Sequence, residues 1–142
     1  MLTSQTTQQR CPCGSEKSFT FCCEPYIEGQ KPAPTAEELM RSRYTAFALG
    51  AIDYLIDTTV PEKRELIDRA IFAEQIQFTT WTGLTILNKE AGSKEDTQGV
   101  VEFEAAFETE DDQCILHERS SFYAKNGQWF YADGEVDVRS VA

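Results

Sequence analysis

Four of the five cysteines fall within thirteen residues, in the string Cys11-Pro12-Cys13-Gly14-Ser15-Glu16-Lys17-Ser18-Phe19-Thr20-Phe21-Cys22-Cys23. So short and polar a segment cannot bury a core of its own, so something else must hold it. Four soft thiolates closing on one ion would do so, and the spacing C-x-C, eight residues, C-C reads as a structural zinc knuckle with Cys11, Cys13, Cys22 and Cys23 as ligands. Iron in the same thiolate cage is the runner-up. Two other chemistries stay open at this point: a pair of disulfides, and a catalytic thiol. The chain start lacks the charged, apolar and small regions of a signal sequence, which implies a reducing compartment and favours metal over disulfides. A catalytic thiol needs a base, and the single histidine, His117, is remote in sequence. Pro12 stiffens the turn between the first two ligands, Gly14 lets the backbone bend back toward the sulfurs, and Phe19 and Phe21 are expected to cover them.

This string resembles the SEC-C metal-binding motif found at the C-terminus of the SecA translocation ATPase and in several small bacterial proteins. The likeness continues through Pro25-Tyr26, Gly29, the stretch 35–47, Asp53-Tyr54-Leu55, His117-Glu118-Arg119-Ser120-Ser121-Phe122 and Gly127-Gln128-Trp129-Phe130-Tyr131-Ala132-Asp133-Gly134, which together resemble the YchJ family of SEC-C proteins. The resemblance implies a metal knuckle joined to a cone-shaped, cystatin-like α+β domain similar to nuclear transport factor two, with no established activity.

The 142 residues suit one small domain with an appendage, and 24 acidic against 13 basic residues give a formal charge of −11. Such a surface repels phosphate backbones, so general nucleic-acid binding by the main domain is not expected. No apolar run reaches the roughly 20 residues of a transmembrane span, and a cytoplasmic location is expected. The expected organisation is a disordered arm over 1–10, a knuckle over 11–31 and an α+β domain over 35–142. The prolines of the connector Gly29-Gln30-Lys31-Pro32-Ala33-Pro34 predict little shared core between knuckle and domain.

Thr35-x-x-Glu38 is a capping box, and Gly50 can close the helix that it opens. A second helix is predicted over 51–58 and a third from Glu62 to about Gln75, with Leu66, Ile67, Ala70 and Ile71 buried. Beyond Ile76 the hydrophobic period falls to two. Val101, Phe103, Ala105 and Phe107 alternate with Glu102, Glu104, Ala106 and Glu108, and Asn126-Gly127 marks a hairpin. Three helices followed by an antiparallel meander of about four strands make an α+β fold, with the curved sheet wrapped around the helices.

Function in such a cone would sit on inward-facing residues. Trp81, Cys114, His117, Glu118, Arg119, Tyr123, Trp129, Tyr131 and Asp133 are candidates, with Arg41, Arg43 and Tyr44 from the first helix. Adjacent strand residues point to opposite faces, so His117 and Glu118 cannot share one pocket unless a bulge intervenes. The expected wall is Tyr44, Trp81, His117, Trp129, Tyr131 and Asp133, with Arg41 or Arg43 for an anionic group. Arg41, Arg43, Glu118 and Arg119 could instead form an ion-pair cluster between helix and sheet. Cys114 is expected to be a small buried residue.

Two functions follow. One is an adaptor whose knuckle docks on a protein partner while the cone holds a small molecule or peptide. By resemblance to the SecA tail, which engages the SecB chaperone and the membrane surface, translocation or translation machinery is the place to seek that partner. Arg10, Lys17 and Lys31 beside an acidic domain polarise the charge and suit an oriented encounter. The alternative is a small pocket enzyme with His117 as base and Asp133 as its orienter.

Overall fold

The computed structural model describes residues 9–141; most of the arm expected over 1–10 lies outside the described residues. Arg10 is already bridged to Ser18, and the amide of Phe19 donates to the carbonyl of Gln9. After a single 3₁₀ turn at Phe19–Phe21, the helices are α1 (Glu24–Ile27), α2 (Ala36–Leu49), α3 (Ile52–Asp57) and α4 (Arg69–Phe78), with a second 3₁₀ stretch at Pro61–Leu66. Four antiparallel strands follow in sequential order, β1 (Thr80–Ala91), β2 (Gln98–Glu108), β3 (Gln113–Lys125) and β4 (Gln128–Ser140). This is the α+β architecture expected.

Capping chemistry sets α2. The Thr35 hydroxyl accepts from the amide of Glu38 at 3.1 Å and donates to its carboxylate at 3.0 Å, while Gly50 adopts φ 82° and returns its amide to Ala46. The helix predicted from Glu62 to Gln75 is instead broken. Asp68 accepts from the amides of Ala70 and Ile71, which makes it an N-cap: the chain before it is 3₁₀ and α4 begins only at Arg69. Leu66 and Ile71 are accordingly exposed rather than a buried stripe.

The β2 alternation holds. Val101, Phe103 and Ala105 are buried on the concave face, and the register Phe103↔Glu118 and Ala105↔Leu116 places Glu118 and Leu116 there too. The turn before β4 has Asn126 and Gly127 both at positive φ, as a two-residue hairpin of this twist requires. β4 continues through Asp133-Gly134 to Ser140. Its pairing shifts between Ser121 and Phe122, where Ala132 is the extra residue. Residues 58–60 pair with Tyr131 and cover that part of the β4 edge.

Knuckle and domain share one core. Cys11, Cys13 and Cys23 belong to the same buried cluster as Leu39, Met40, Tyr44, Val101 and Phe122. The expectation of little shared core is overturned, because the connector folds back: Trp129 Nε1 donates to the carbonyl of Pro34 at 3.1 Å and holds the proline segment against the sheet.

Candidate metal centre and cone cavity

The loop that carries the first two cysteines is closed by its own backbone. The amide of Cys11 donates to Lys17 O, that of Gly14 to Cys11 O, and Gly14 turns the chain at φ 80°. The 3₁₀ turn then delivers Cys22 and Cys23 from the other side. All four sulfurs lie within 4.8 Å of one another. Cys13 and Cys22 Sγ are 3.6 Å apart and Cys22 and Cys23 Sγ 3.9 Å. A tetrahedral ion with metal–sulfur bonds of about 2.3 Å sets its ligands about 3.8 Å apart, so the set fits one ion. It does not fit disulfides, whose sulfurs stand about 2.05 Å apart; all five cysteines are free.

Helix α2 supplies the outer shell of this centre. Thr45, fully buried, donates its hydroxyl to Cys23 Sγ at 3.5 Å and stands 3.7 Å from Cys11 Sγ. Arg41 Nη1 donates to Cys13 O at 2.7 Å, and Tyr26 donates to Glu38 at 2.9 Å. Four thiols this close cannot all ionise unaided. Hydrogen bonds from Cys11 and Cys23 hold the Cys13 thiol far below its ordinary range, burial pushes Cys22 up to about 11, and its bonds to Cys11 and Cys13 push Cys23 up further. An incoming ion must therefore displace protons, and its affinity rises with pH. Of the two phenylalanines expected as cover, Phe19 packs against the cluster together with α2 and the sheet, whereas Phe21 is 79% exposed.

A cavity of about 410 Å³ lies on the other side of α2. Of the residues expected to line it, Arg43, Tyr44, Trp81 and Tyr131 do, joined by Phe47, Phe72, Phe107, Glu118 and Ser120. The rings of Trp81 and Phe107 are 5.1 Å apart and those of Tyr44 and Trp81 5.8 Å. Arg43 is buried, and desolvation pushes its pKa down to about 10. Its guanidinium lies 4.6 Å above the Tyr131 ring.

The other expected residues lie elsewhere. Arg41 serves the metal loop and pairs with Glu37. His117 is on the convex face, with Nε2 2.7 Å from Glu102 Oε2, in a charged array with Arg119–Glu90 and Arg139–Glu104. Trp129 is buried beneath Pro34. Asp133 is exposed, 3.8 Å from Lys63, and the Ala132 bulge puts it on the opposite face from Tyr131. Arg41, Arg43, Glu118 and Arg119 form no common ion-pair cluster: Arg41 pairs with Glu37 and Arg119 with Glu90, while Arg43 and Glu118 share only Tyr131. Tyr123 reaches Glu62, and Cys114 is half-exposed beside Asp112 rather than buried. Glu118, a candidate in the sequence but left out of the expected wall in favour of His117, does line the cavity. The β2 alternation extended across the β2–β3 register would have found it. No helix among the described residues is long and apolar enough to cross a membrane.

The model of the YchJ middle domain, described as NTF2-like, matches residues 35–134. A UPF0225 protein of Geobacter sulfurreducens is 43% identical over 124 residues, which span 87% of this chain and 77% of that protein. A solution structure of a SEC-C motif containing protein from Rhodopseudomonas palustris superimposes with a TM-score of 0.81 at 36% identity, over 88% of this chain and 96% of that one. The crystal structure of a SEC-C motif containing protein from Psychrobacter arcticus gives 0.78 at 31% identity, over 97% and 88%.

Proposed function

The chain belongs to the YchJ family of SEC-C motif proteins, and from that premise we propose a binding protein with two working parts. Residues 11–31 hold one structural zinc ion and present a docking surface to a protein partner, while the cone of residues 35–142 holds a small molecule or peptide. The observation that carries the reading is the aromatic-walled cavity with a buried arginine at its wall, the composition usual for a ligand site.

Zinc suits a closed four-thiolate set because it imposes no redox chemistry and no geometry beyond the tetrahedron; iron is the alternative occupant. Free thiols of this kind suit a reducing compartment, and we place the protein in the cytoplasm. The docking half rests on Phe21, a large apolar side chain left exposed next to Cys22 and near Lys17. Translocation or translation machinery is the proposed source of the partner. The enzyme alternative, with His117 as base and Asp133 as orienter, has no geometric support, because the two side chains have different partners in different places.

Elemental analysis of reductively purified protein is expected to give one zinc per chain. Tryptophan fluorescence should saturate against members of a small-molecule and peptide library, and Trp81→Phe should remove the response while Trp129→Phe retains it. A stoichiometry well below one metal per chain, or a response that follows Trp129, would refute the corresponding half.

A further inference from the structure

One region of the cavity is charged and the rest is not. Arg43, only 8% exposed, donates from Nη1 to Leu55 O at 2.9 Å, to Thr58 Oγ1 at 2.7 Å and to Thr59 Oγ1 at 3.4 Å. All three bonds leave from one nitrogen, so Nε and Nη2 are the donors left over. Arg43 makes no direct ion pair among the described residues. Glu118, on the facing strand β3, is held by Ser120 at 2.8 Å and by Tyr131 at 2.9 Å, both on Oε2, which leaves Oε1 as a spare acceptor. Tyr131 thus fixes both charges, its ring under the guanidinium and its hydroxyl on the carboxylate.

The sequence makes room for that carboxylate. Gly134 lies opposite Ser120 on β4, and a Cβ there would collide with Glu118 and with the Tyr131 hydroxyl. A buried cation and a half-buried anion held in one cavity without touching are costly, since each is desolvated and neither fully compensated. A group that carries both opposite charges a bond or two apart relieves both. A lone carboxylate would meet Glu118 and a lone amine would meet Arg43. The remaining wall, with Phe47, Phe72, Trp81 and Phe107, calls for an apolar and preferably flat body. A volume of 410 Å³ is near the lower end of the usual ligand range of about 300–1,000 Å³ and suits one residue better than a chain of them.

Resting on the ligand-binding reading above, we propose that the cone binds a free α-amino acid with a large apolar or aromatic side chain, its carboxylate on Arg43 and its ammonium on Glu118.

The test is calorimetric titration of the metal-loaded full chain with four probes of one shape: L-phenylalanine, 3-phenylpropionate, 2-phenylethylamine and neutral 2-phenylethanol. L-Phenylalanine should bind at least tenfold more tightly than any of the other three. Glu118→Gln keeps the volume and both hydrogen bonds of the carboxylate, and its melting temperature reports folding separately. It should weaken L-phenylalanine at least tenfold and leave 3-phenylpropionate equal or tighter; Arg43→Lys should weaken both acids. If 2-phenylethanol binds as well as L-phenylalanine, or Glu118→Gln leaves the order of the probes unchanged, the amino-acid assignment is overturned while the ligand-binding reading survives. If none of the probes binds and the Trp81 fluorescence does not respond to any compound, both fall.

Discussion

The metal centre and the cone cavity lie on two faces of the same helix and are built in opposite ways. Glu38, Arg41 and Thr45 turn toward the knuckle, and Met40, Arg43, Tyr44 and Phe47 toward the cavity, two sets each at helical spacing. The centre gathers its four cysteines from thirteen consecutive residues, so a short loop brings the sulfurs together and α2 only buttresses them through Arg41 and Thr45. The cavity gathers its wall from two helices and four strands, so its geometry depends on every register in the sheet. A centre made locally should tolerate damage to the cavity, whereas a cavity made globally should not tolerate damage to the centre.

Removing the ion is the strongest way to break that asymmetry. Three of the ligands sit in the main core, so stripping the metal, or replacing Cys23 by Ser, should abolish the single cooperative transition along with the near-ultraviolet aromatic signal. The loss should be comparable with the whole stability of such a domain, since structural zinc sites are worth about 10 kcal/mol or more. A domain that stays cooperative at 35–142 after chelation, judged by calorimetry, would show that the shared core is dispensable.

Arg43→Met tests the converse. It leaves Leu55 O, Thr58 and Thr59 without their charged donor and should cost about 3 kcal/mol in denaturant unfolding, yet zinc content should stay at one per chain. Metal loss in this variant would mean that the two faces of α2 are one site.

Gly99→Ala strikes the seat of the helix shared by both. Its new Cβ would stand 2.5 Å from Gly92 Cα and 3.2 Å from Ala36 Cβ, where the amide of Ala36 donates to Gly92 O. Because the obstruction is backbone, the cost should be about 2 kcal/mol, with ligand affinity and metal affinity falling together. An unchanged melting temperature would show that α2 is seated by other contacts.

The smallest effect concerns pH. Burial pushes the Glu37 carboxyl up, but hydrogen bonds from Lys89 and Arg41 outweigh this and hold it below its ordinary value. A lowered folded-state value means that this stabilisation is present above the unfolded value near 4.5 and is lost as pH falls through the folded one. Glu37→Gln should therefore cost less than about 1 kcal/mol at pH 7, with the difference from the parent shrinking in thermal melts as the pH falls below the unfolded value near 4.5. A difference that grows on acidification would reverse the sign.

The contrast also explains what could be read in advance. The gathering of the four cysteines was legible because their spacing is a local property, and the α2 caps for the same reason. The strand alternation of β2 was legible too, and with it the inward side of the sheet. What failed was whatever depended on register. Parity separates His117 from Glu118 but does not say which faces inward; only the pairing of Phe103 with Glu118 does. One bulged residue, Ala132, sends Tyr131 into the cavity and Asp133 out of it, although they stand two apart and an unbroken strand would keep them together. Asp68 looked like one polar residue within a helix and is a cap, a distinction that rests on its own backbone angles.

The hydroxyl of Thr45 against the sulfurs has a consequence in time. The ribosome makes the four ligands first, and at that stage they form an open loop in water from which an ion can still leave. Thr45, Leu39 and Val101, which wall the sulfurs in, are added later, and the last of them only after β1 is complete. An ion taken up during synthesis would be met by a loose nascent loop and then enclosed by the finished chain. Exchange thereafter would be slowest on the side where Thr45 closes over Cys11 and Cys23, and Cys22, the one part-buried sulfur, would be the side from which an ion leaves.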